Sequence, residues 1–584
     1  RRLDGFIVPL SDENHTEFVP LRAQRLAWLT GFSGSAGTAV VLRTRAALFV
    51  DGRYTLQARD QVPGALYSFH HIVEEPWRGW LAGNLDAGAR FGYDPWLHSE
   101  NEAGTLAAAC QAAGAELVAV AANPVDAVWT DRPPAPISPA VPHPLRFAGE
   151  ASADKRRRLA RALVETEIDA AVLTAPDSLA WLLNLRGADV ACTPLALGFA
   201  ILHADAGVDL LIDRRKLSAG VRRHLGRGVR IRDRAAFGDA LDELARAGKA
   251  VAIDPATTAS WIARRLRDGG AEPRHVADPC ALAKAAKNPV ELDGAREAHR
   301  RDGAALTRFL AWLAREAPRG GLDELAAAAK LAAFRAEDEL IRSASFDTIA
   351  GAGPNGAIVH YRATPATNRR LEGGQLFLLD SGAQYLDGTT DVTRTIAIGT
   401  PSDEMRDRFT RVLKGHIAIA ICRFPDGTTG SQIDTLARQF LWQAGLDYDH
   451  GTGHGVGSYL GVHEGPQRIS KLPNTVALKP GMIVSNEPGY YKAGAYGIRT
   501  ENLVAVMRDD GRGGERPFHR FETLTLAPID LNLIDAGLLT AAEIGWIDRY
   551  HARVRDTLAG RVDAATRAWL EEATAPLPPA TGAG

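Results

Sequence analysis

The stretch from Gln375 to Glu501 sets charged and imidazole side chains into segments that otherwise have the composition of buried strands and glycine-rich turns. A carboxylate among apolar neighbours is unfavourable unless an opposite charge or a metal ion neutralises it. Four carboxylates and one imidazole suit two hard or borderline divalent cations that share bridging oxygens. We therefore predict a dinuclear metal hydrolase site with these ligands: Asp380, Asp391, His454, Glu487 and Glu501.

The two aspartates of this stretch lie on either side of a predicted hairpin. Asp380 ends the apolar run QLFLL, and Asp391 follows the turn LDGTT. A hairpin places two such positions side by side, where the carboxylates repel each other unless a cation neutralises them. The alternative for either residue alone is a turn aspartate that caps the end of a strand.

The histidine and glutamate positions also have structural alternatives. Three histidines share the segment DHGTGHGVGSYLGVHEG, whose glycines let the backbone approach a site closely. A single histidine there would more often be a hydrogen-bonded core residue, but three together favour a site. Glu487 follows a buried-looking strand, Met482–Val484, and Glu501 interrupts another, GIRTENLVAV; the alternative for each is a salt bridge with Arg499 or Arg394.

Length and composition limit the other classes of function. The chain has 584 residues, which is too long for one hydrophobic core. Its formal net charge of −2 gives no overall field for nucleic acid or for an anionic membrane. Four scattered cysteines without CxxC spacing argue against disulfides and thiolate metal sites. With no apolar run of roughly 18 residues and no signal-like start, we expect a cytoplasmic protein without membrane or nucleic-acid partners.

The N-terminal half shows an internal duplication. An order of strand, helix containing Ala-Trp-Leu, glycine turn and two strands runs from Asp4 to Asp51 and recurs from Asp169 to Asp213. The proline-rich segment Pro133–Pro144 reads as a linker. We expect an α/β protein with domains at 1–140, 141–284 and 285–584, the last with an α+β body and a helical extension from about 525.

The motifs DSGAQYLDGTTDVTRT, HGTGHGVGSYLGVHEGP, EPGYY and GIRTEN resemble the signatures of the aminopeptidase P, or Xaa-Pro aminopeptidase, family. The order of domains is similar to the three-domain cytosolic form over essentially the whole chain. The resemblance implies two tandem creatinase-N-terminal-like α/β domains, followed by a pita-bread-fold metallopeptidase domain with a helical C-terminal tail. It also implies a homodimer.

The resemblance assigns a role to each matching residue. Asp391 and Glu501 would bridge the two metals, Asp380 would complete one of them, and His454 and Glu487 would complete the other. The usual metal of the family is manganese, with which ligation by oxygen and nitrogen agrees. The remaining positions that match substrate-contacting or supporting groups of the family are His360, His450, His463, Arg499 and Thr393.

The implied reaction removes the first residue from peptides with proline in the second position. A hydroxide that bridges the metals would attack the first carbonyl, His463 would stabilise the oxyanion, and Glu487 would carry the proton to the leaving nitrogen. Candidate walls for the proline ring are Phe346, Tyr361 and Trp442, for each of which core packing is the alternative.

Three other functions share this scaffold. A prolidase would accept only Xaa-Pro dipeptides, and the duplicated N-terminal domains count against it. A non-enzymatic binding protein would typically lack some metal ligands, all five of which are present here. A creatinase-type hydrolase would lack the metal-binding carboxylates.

Overall fold

The computed structural model describes residues 3–511 and 515–578. The chain forms two compact units, residues 1–284 and residues 285–584. Each unit has its own hydrophobic clusters and is described by itself.

The first unit contains two six-stranded mixed sheets. In spatial order, the strands of the first sheet are Tyr67–His71, Ala46–Val50, Thr38–Leu42, Gly5–Pro9, Arg90–Tyr93 and Glu116–Ala119. Those of the second sheet are Val229–Arg232, Val208–Ile212, Gly198–His203, Ala170–Leu173, Val251–Ile253 and Arg274–His275. Both sheets pair their first three strands in sequence antiparallel and the other neighbours parallel.

This identical strand order confirms the predicted tandem α/β duplication. The local chemistry also repeats, because Asp51 accepts the backbone N–H of Arg53 and Asp213 accepts that of Arg215, each at 3.0 Å. Helices of six or more residues in this unit are Arg25–Thr30, Thr55–Gln61, Trp77–Asn84, Glu100–Ala112, Ser152–Glu165, Pro176–Leu182, Ala219–Leu225, Phe237–Arg246, Ser260–Asp268 and Pro279–Ala285.

The proline-rich segment, predicted to be a linker, is irregular over most of its length and contains one short strand. Residues 132–140 lie outside helices and strands, as fixed φ angles and missing N–H donors favour. Val141–Pro142, however, forms a short strand that pairs with Leu185–Arg186.

The second unit begins with two helices that pack on a three-stranded sheet. Pro289–Glu316 starts with a capping box between Asn288 and Glu291, and Glu324–Arg335 follows it. Leu306, Phe309 and Leu313 bury their side chains in the same cluster as Phe377 and Leu379. The strands of this sheet are Ile349–Ala352, Gln375–Ser381 and Val392–Ile398.

A second pair of helices packs on a four-stranded sheet of the same unit. Helices Asp403–Ala420 and Gly430–Trp442 bury Ile419 and Ile433 against Val484 and Val504. The strands of this sheet, in spatial order, are Arg423–Pro425, Phe518–Thr523, Asn502–Arg508 and Ile483–Asn486. Each of the two helix pairs thus covers one sheet. The predicted acidic ligands lie at or next to the ends of strands in these two sheets.

Smaller elements complete this unit. A three-stranded sheet contains Ile341–Ala344, Ala383–Tyr385 and Gly388–Thr389, and two ribbons pair Gly453–His454 with Arg468–Ile469 and Gly489–Lys492 with Tyr496–Arg499. The tail helices are Ala541–Leu558 and Ala564–Ala573. None of the helices within the described residues has the length and the apolar character that crossing a bilayer requires.

Candidate metal centre

The predicted hairpin carries Asp380 and Asp391 to one end of the three-stranded sheet. Strand Gln375–Ser381 pairs antiparallel with Val392–Ile398, and Asp380 lies opposite Thr393. Asp391 immediately precedes the second strand, so both aspartates lie at the same end of the pair. Both side chains are almost fully buried.

His454 comes from the glycine-rich segment and is fixed through its backbone and its ring. Its N–H donates to Ser485 Oγ at 2.9 Å, and its Nδ1 lies 3.0 Å from the carbonyl oxygen of Gly455. A proton on Nδ1 satisfies that carbonyl and leaves the Nε2 lone pair to bind a metal ion. A Cβ atom at Gly453 would overlap the carbonyl oxygen of Ser485, so glycine is required for this approach.

The structure brings Asp391, His454 and Glu501 together. One ligand atom from each lies within 4.8 Å of the others. Glu487 joins this group, because its Oε1 lies 3.4 Å from His454 Nε2, which is itself 3.5 Å from Asp391 Oδ2. These residues lie in or directly beside strands of three different sheets, so the tertiary fold and not a local turn creates the cluster.

Three buried carboxylate oxygens support metal binding at this place. Asp380 Oδ1, Asp391 Oδ1 and Glu501 Oε1 have no hydrogen-bond donor among the described residues. An unsatisfied buried carboxylate oxygen is strongly unfavourable, and a cation satisfies it directly. The donor set of carboxylates and one imidazole therefore fits divalent cations.

The electrostatics of the cluster lead to the same conclusion. Burial raises the pKa of Asp391 to about 7, and burial together with the charges of Asp391 and Glu487 raises the pKa of Glu501 well above its ordinary value. Burial alone would lower the pKa of His454, but its hydrogen bond to Asp391 and the charge of Glu487 raise it to about 9. Burial and mutual repulsion thus disfavour the ionised carboxylates, and a cation placed among them would offset both effects.

Arg499 and Thr393 contact the carboxylates directly. Arg499 Nη2 donates to Asp380 Oδ2 at 2.6 Å, and Thr393 Oγ1 donates to Glu501 Oε2 at 2.7 Å. Arg499 Nε also donates to Thr393 Oγ1 at 3.1 Å. Such contacts hold ligand carboxylates in a fixed orientation.

The alternative salt bridges for Glu501 are absent from its described contacts. Arg499 pairs with Asp380, and Arg394 donates to main-chain carbonyl oxygens, including that of Glu501 at 2.6 Å. The side chain of Glu501 therefore has a hydroxyl donor, Thr393, and one oxygen left for a metal ion.

The three predicted substrate histidines occupy different settings. The ring of His463 lies 4.3 Å from that of His454 and is half-buried. His360 is also half-buried, and the carbonyl oxygen of the preceding Val359 lies 3.4 Å from Arg499 Nη1. His450 has protein partners at both ring nitrogens, the Gly451 carbonyl and the Tyr491 hydroxyl, each at 2.8 Å.

The structure brings two of the three predicted pocket aromatics together. Phe346 and Tyr361 pack in one apolar cluster with Tyr491, but the Tyr361 hydroxyl donates to Glu324 and Thr367. Trp442 ends its helix with 48% of its surface exposed and is not among the residues that the structure gathers at the centre. A helical pattern does not reveal which side of Trp442 is covered, and its place in a proline pocket stays a prediction.

Two supporting residues were missed by the sequence reasoning. Tyr491 accepts from Arg499 Nη1 at 2.6 Å, and Ser485 Oγ donates to Glu487 Oε1 at 3.1 Å while it accepts from His454. Tyr491 lies within the motif EPGYY, which was the available signal; Ser485 had none, since its role depends on a contact between distant segments.

Profiles of known families match nearly the whole chain. The Creatinase/Prolidase N-terminal domain matches residues 1–127 and again 131–291. Metallopeptidase family M24 matches residues 293–508, and the C-terminal region of peptidase M24 matches residues 517–577.

Individual relatives match from end to end. Aminopeptidase P1 of Lotus japonicus is 39% identical over 98% of this chain and 97% of its own length. The probable Xaa-Pro aminopeptidase P of Aspergillus niger is 41% identical over 99% of this chain and 97% of its own length.

Solved structures also match this chain, one over nearly its whole length and another over about two thirds of it. The X-prolyl aminopeptidase of Caenorhabditis elegans, described as a cytosolic enzyme with a di-nuclear active site, has a TM-score of 0.94 at 34% identity over 99% of this chain and 96% of its own. The Xaa-Pro dipeptidase of Bacillus anthracis, with a TM-score of 0.52 at 25% identity, covers 65% of this chain and 99% of its own. The chain therefore belongs to the Xaa-Pro aminopeptidase P family of M24 metallopeptidases, with tandem creatinase-type domains before its catalytic domain.

Proposed function

We propose that this protein is a metal-dependent aminopeptidase that removes the N-terminal residue from peptides with proline in the second position. The observation that carries the proposal is the buried cluster of Asp391, His454 and Glu501, whose carboxylates retain oxygens without hydrogen-bond donors. Membership of the family supplies the reaction class.

We propose that the cluster holds two divalent cations, with manganese as the native metal. Asp391 and Glu501 would be shared between the cations, Asp380 would serve one of them, and His454 with Glu487 would serve the other. Such a pair supplies Lewis acidity and activates water at neutral pH. The dinuclear centre named for the nematode relative supports this count.

The protein groups around the cluster would then bind the substrate and transfer its proton. Glu487 is suited to carry a proton to the leaving nitrogen, because its side chain is 18% exposed and Ser485 orients one of its oxygens. His463, whose ring makes an edge-to-face contact with that of His454, would donate to the developing oxyanion. His450 would orient Tyr491, and through it Arg499.

The runner-up is a prolidase, which would cleave Xaa-Pro dipeptides only. The aminopeptidase P relatives match over both N-terminal domains, whereas the dipeptidase structure covers 65% of this chain. We therefore propose that tripeptides and longer peptides are substrates. A homodimer in the cytoplasm stays a prediction from the family resemblance.

The test compares release of arginine from Arg-Pro-Pro, Arg-Ala-Ala and the dipeptide Arg-Pro. Enzyme stripped by a chelator is assayed before and after manganese is restored. We expect cleavage of Arg-Pro-Pro alone, only with metal, and no activity in Asp391→Asn.

The matched control is Asp293→Asn, which changes an aspartate with a 74% exposed side chain on helix Pro289–Glu316 and should keep full activity. Cleavage of Arg-Pro but not of Arg-Pro-Pro would show that the protein acts as a prolidase, contrary to the proposal. A protein that binds no metal and cleaves none of the peptides would contradict the enzyme assignment itself.

A further inference from the structure

The catalytic unit contains a fully buried ion pair that the proposed reaction does not use. Lys287 Nζ donates to Glu464 Oε1 at 2.9 Å, and the side chains are 1% and 0% exposed. Burying two charges carries a desolvation penalty that their attraction often does not recover. Stability alone is therefore a weak reason for this pair, and its position points to another one.

Lys287 is anchored at its own backbone. Its N–H donates to the carbonyl oxygen of Gly481 at 2.9 Å, and the next residue, Asn288, caps helix Pro289–Glu316. The backbone of Lys287 is therefore fixed between the start of this helix and the turn at Gly481, which restricts where its ammonium group can lie.

Glu464 lies next to the candidate oxyanion residue, His463. Its N–H donates at 2.8 Å to the carbonyl oxygen of Gly455, and that same oxygen is 3.0 Å from Nδ1 of the candidate metal ligand His454. A Cβ atom at Gly455 would overlap the carbonyl oxygen of Glu464, so the two segments pack with no spare space. One carbonyl thus links the residue that pairs with Lys287 to the ring that would bind metal.

We propose that the Lys287–Glu464 ion pair is a positioning device for the metal centre. It holds the segment around Glu464 so that His463 stays beside His454 and the Gly455 carbonyl keeps the proton of His454 on Nδ1. Nε2, which faces Asp391 and Glu487, would then be available to bind a metal ion. This inference rests on the proposed function. Neither residue touches the substrate, so both are positioning residues.

The test separates positioning from stability with three variants of the full-length enzyme. Lys287→Met leaves a buried carboxylate without its partner, Glu464→Gln leaves a buried ammonium, and the double variant leaves neither charge unpaired. For each variant, kcat and KM are measured with Arg-Pro-Pro, the dissociation constant is measured by manganese titration, and thermal unfolding reports the folded fraction.

We expect each single variant to lose about tenfold or more in kcat and about tenfold in manganese affinity, as changes behind metal ligands typically do, with KM within about threefold. The double variant should recover thermal stability but remain slow and weak in metal binding. Recovered stability with persistent loss of kcat is a result that a purely structural ion pair does not produce.

The matched control is Lys414→Met, which removes a lysine–glutamate pair of 2.6 Å with Glu543 in the same unit. It should leave kcat and manganese affinity unchanged. The proposal is overturned if the double variant turns over like the wild type, if Lys414→Met loses as much activity, or if the double variant does not fold, which would make the pair a folding requirement. If the wild type itself cleaves no peptide, the proposed function fails. The manganese dissociation constants of the variants would still show whether the ion pair positions His454.

Discussion

At the scale of single residues, Asp391 and His454 make the metal-free protein sensitive to pH. Burial raises the pKa of Asp391 from 3.8 to about 7, so its carboxyl destabilises the fold increasingly as pH rises through that range. His454 has a pKa raised from 6.5 to about 9, so its stabilising charge is lost as pH rises through 9. Both shifts have the same sign, and metal-free protein should become less stable between pH 6 and pH 9.

Bound metal replaces those protons, and its own binding strengthens as the ligands lose theirs. We therefore expect the gap in melting temperature between manganese-loaded and stripped protein to widen from pH 6 to pH 9. Scanning calorimetry or a thermal shift assay measures it. Asp391→Asn should abolish the gap at both pH values, whereas a gap that narrows toward pH 9 would contradict the assigned ligands.

Single residues also show how far the sequence could be interpreted. The cost of burying Glu501 among apolar residues is visible in the pattern, and it predicted a ligand. The partners of Arg394 were not visible, because its guanidinium donates to main-chain carbonyls and to the side chains of Asn502 and Tyr550, which lie more than a hundred positions away in sequence. The exposure of Trp442 was likewise outside what periodicity can state.

At the scale of elements, helix Ala541–Leu558 is tied to strand Val392–Ile398, which follows Asp391. The Tyr550 hydroxyl accepts from Arg394 Nη2 at 2.9 Å and lies 3.0 Å from the carbonyl oxygen of Ala527. Tyr550→Phe would remove the acceptor of the buried Ala527 N–H, which lies 3.2 Å from the hydroxyl, and one of the three acceptors of Arg394 Nη2. We expect it to lower the free energy of unfolding by roughly 1–3 kcal/mol, measured as an earlier urea transition.

The control for this prediction is Tyr67→Phe in the first unit, whose hydroxyl makes a longer bond of 3.3 Å to Leu29 from a partly exposed position. It should shift the transition of its own unit by much less. An unchanged urea curve for Tyr550→Phe would mean that the hydroxyl contributes nothing to holding the tail helix.

Element pairing separates what local patterns predict from what they cannot. The hairpin with Asp380 and Asp391 was predictable, because a short turn joins its strands. The bridge between Gly455 and Val484, which brings His454 to Glu487, joins segments that only the complete fold aligns. For that approach the resemblance to a family, and not periodicity, supplied the prediction.

At the scale of the whole molecule, every candidate metal ligand lies in the unit of residues 285–584. Units with their own cores commonly unfold in separate transitions. We expect two calorimetric transitions, of which manganese raises one and leaves the other in place. Tyr550→Phe should lower the transition that manganese raises, which identifies it; equal movement of both transitions would contradict the assignment.

The duplication was the part of the architecture most open to prediction. Repeated spacing between strand ends predicted two similar α/β domains, and the two sheets share their strand order and pairing sense. The sequence could not predict the extra strand Val141–Pro142, since proline normally disfavours sheet pairing and a two-residue edge strand tolerates it.

The tight packing at Gly453 and Gly455 has a consequence for protein engineering. Since even a methyl group at either position would overlap a backbone oxygen, no amino-acid substitution at Gly453 or Gly455 is conservative. A mutagenesis library for this unit should therefore keep both glycines and vary other positions. Clones that carry changes at the two glycines would fill such a library with inactive protein, whatever chemistry the new side chain brings.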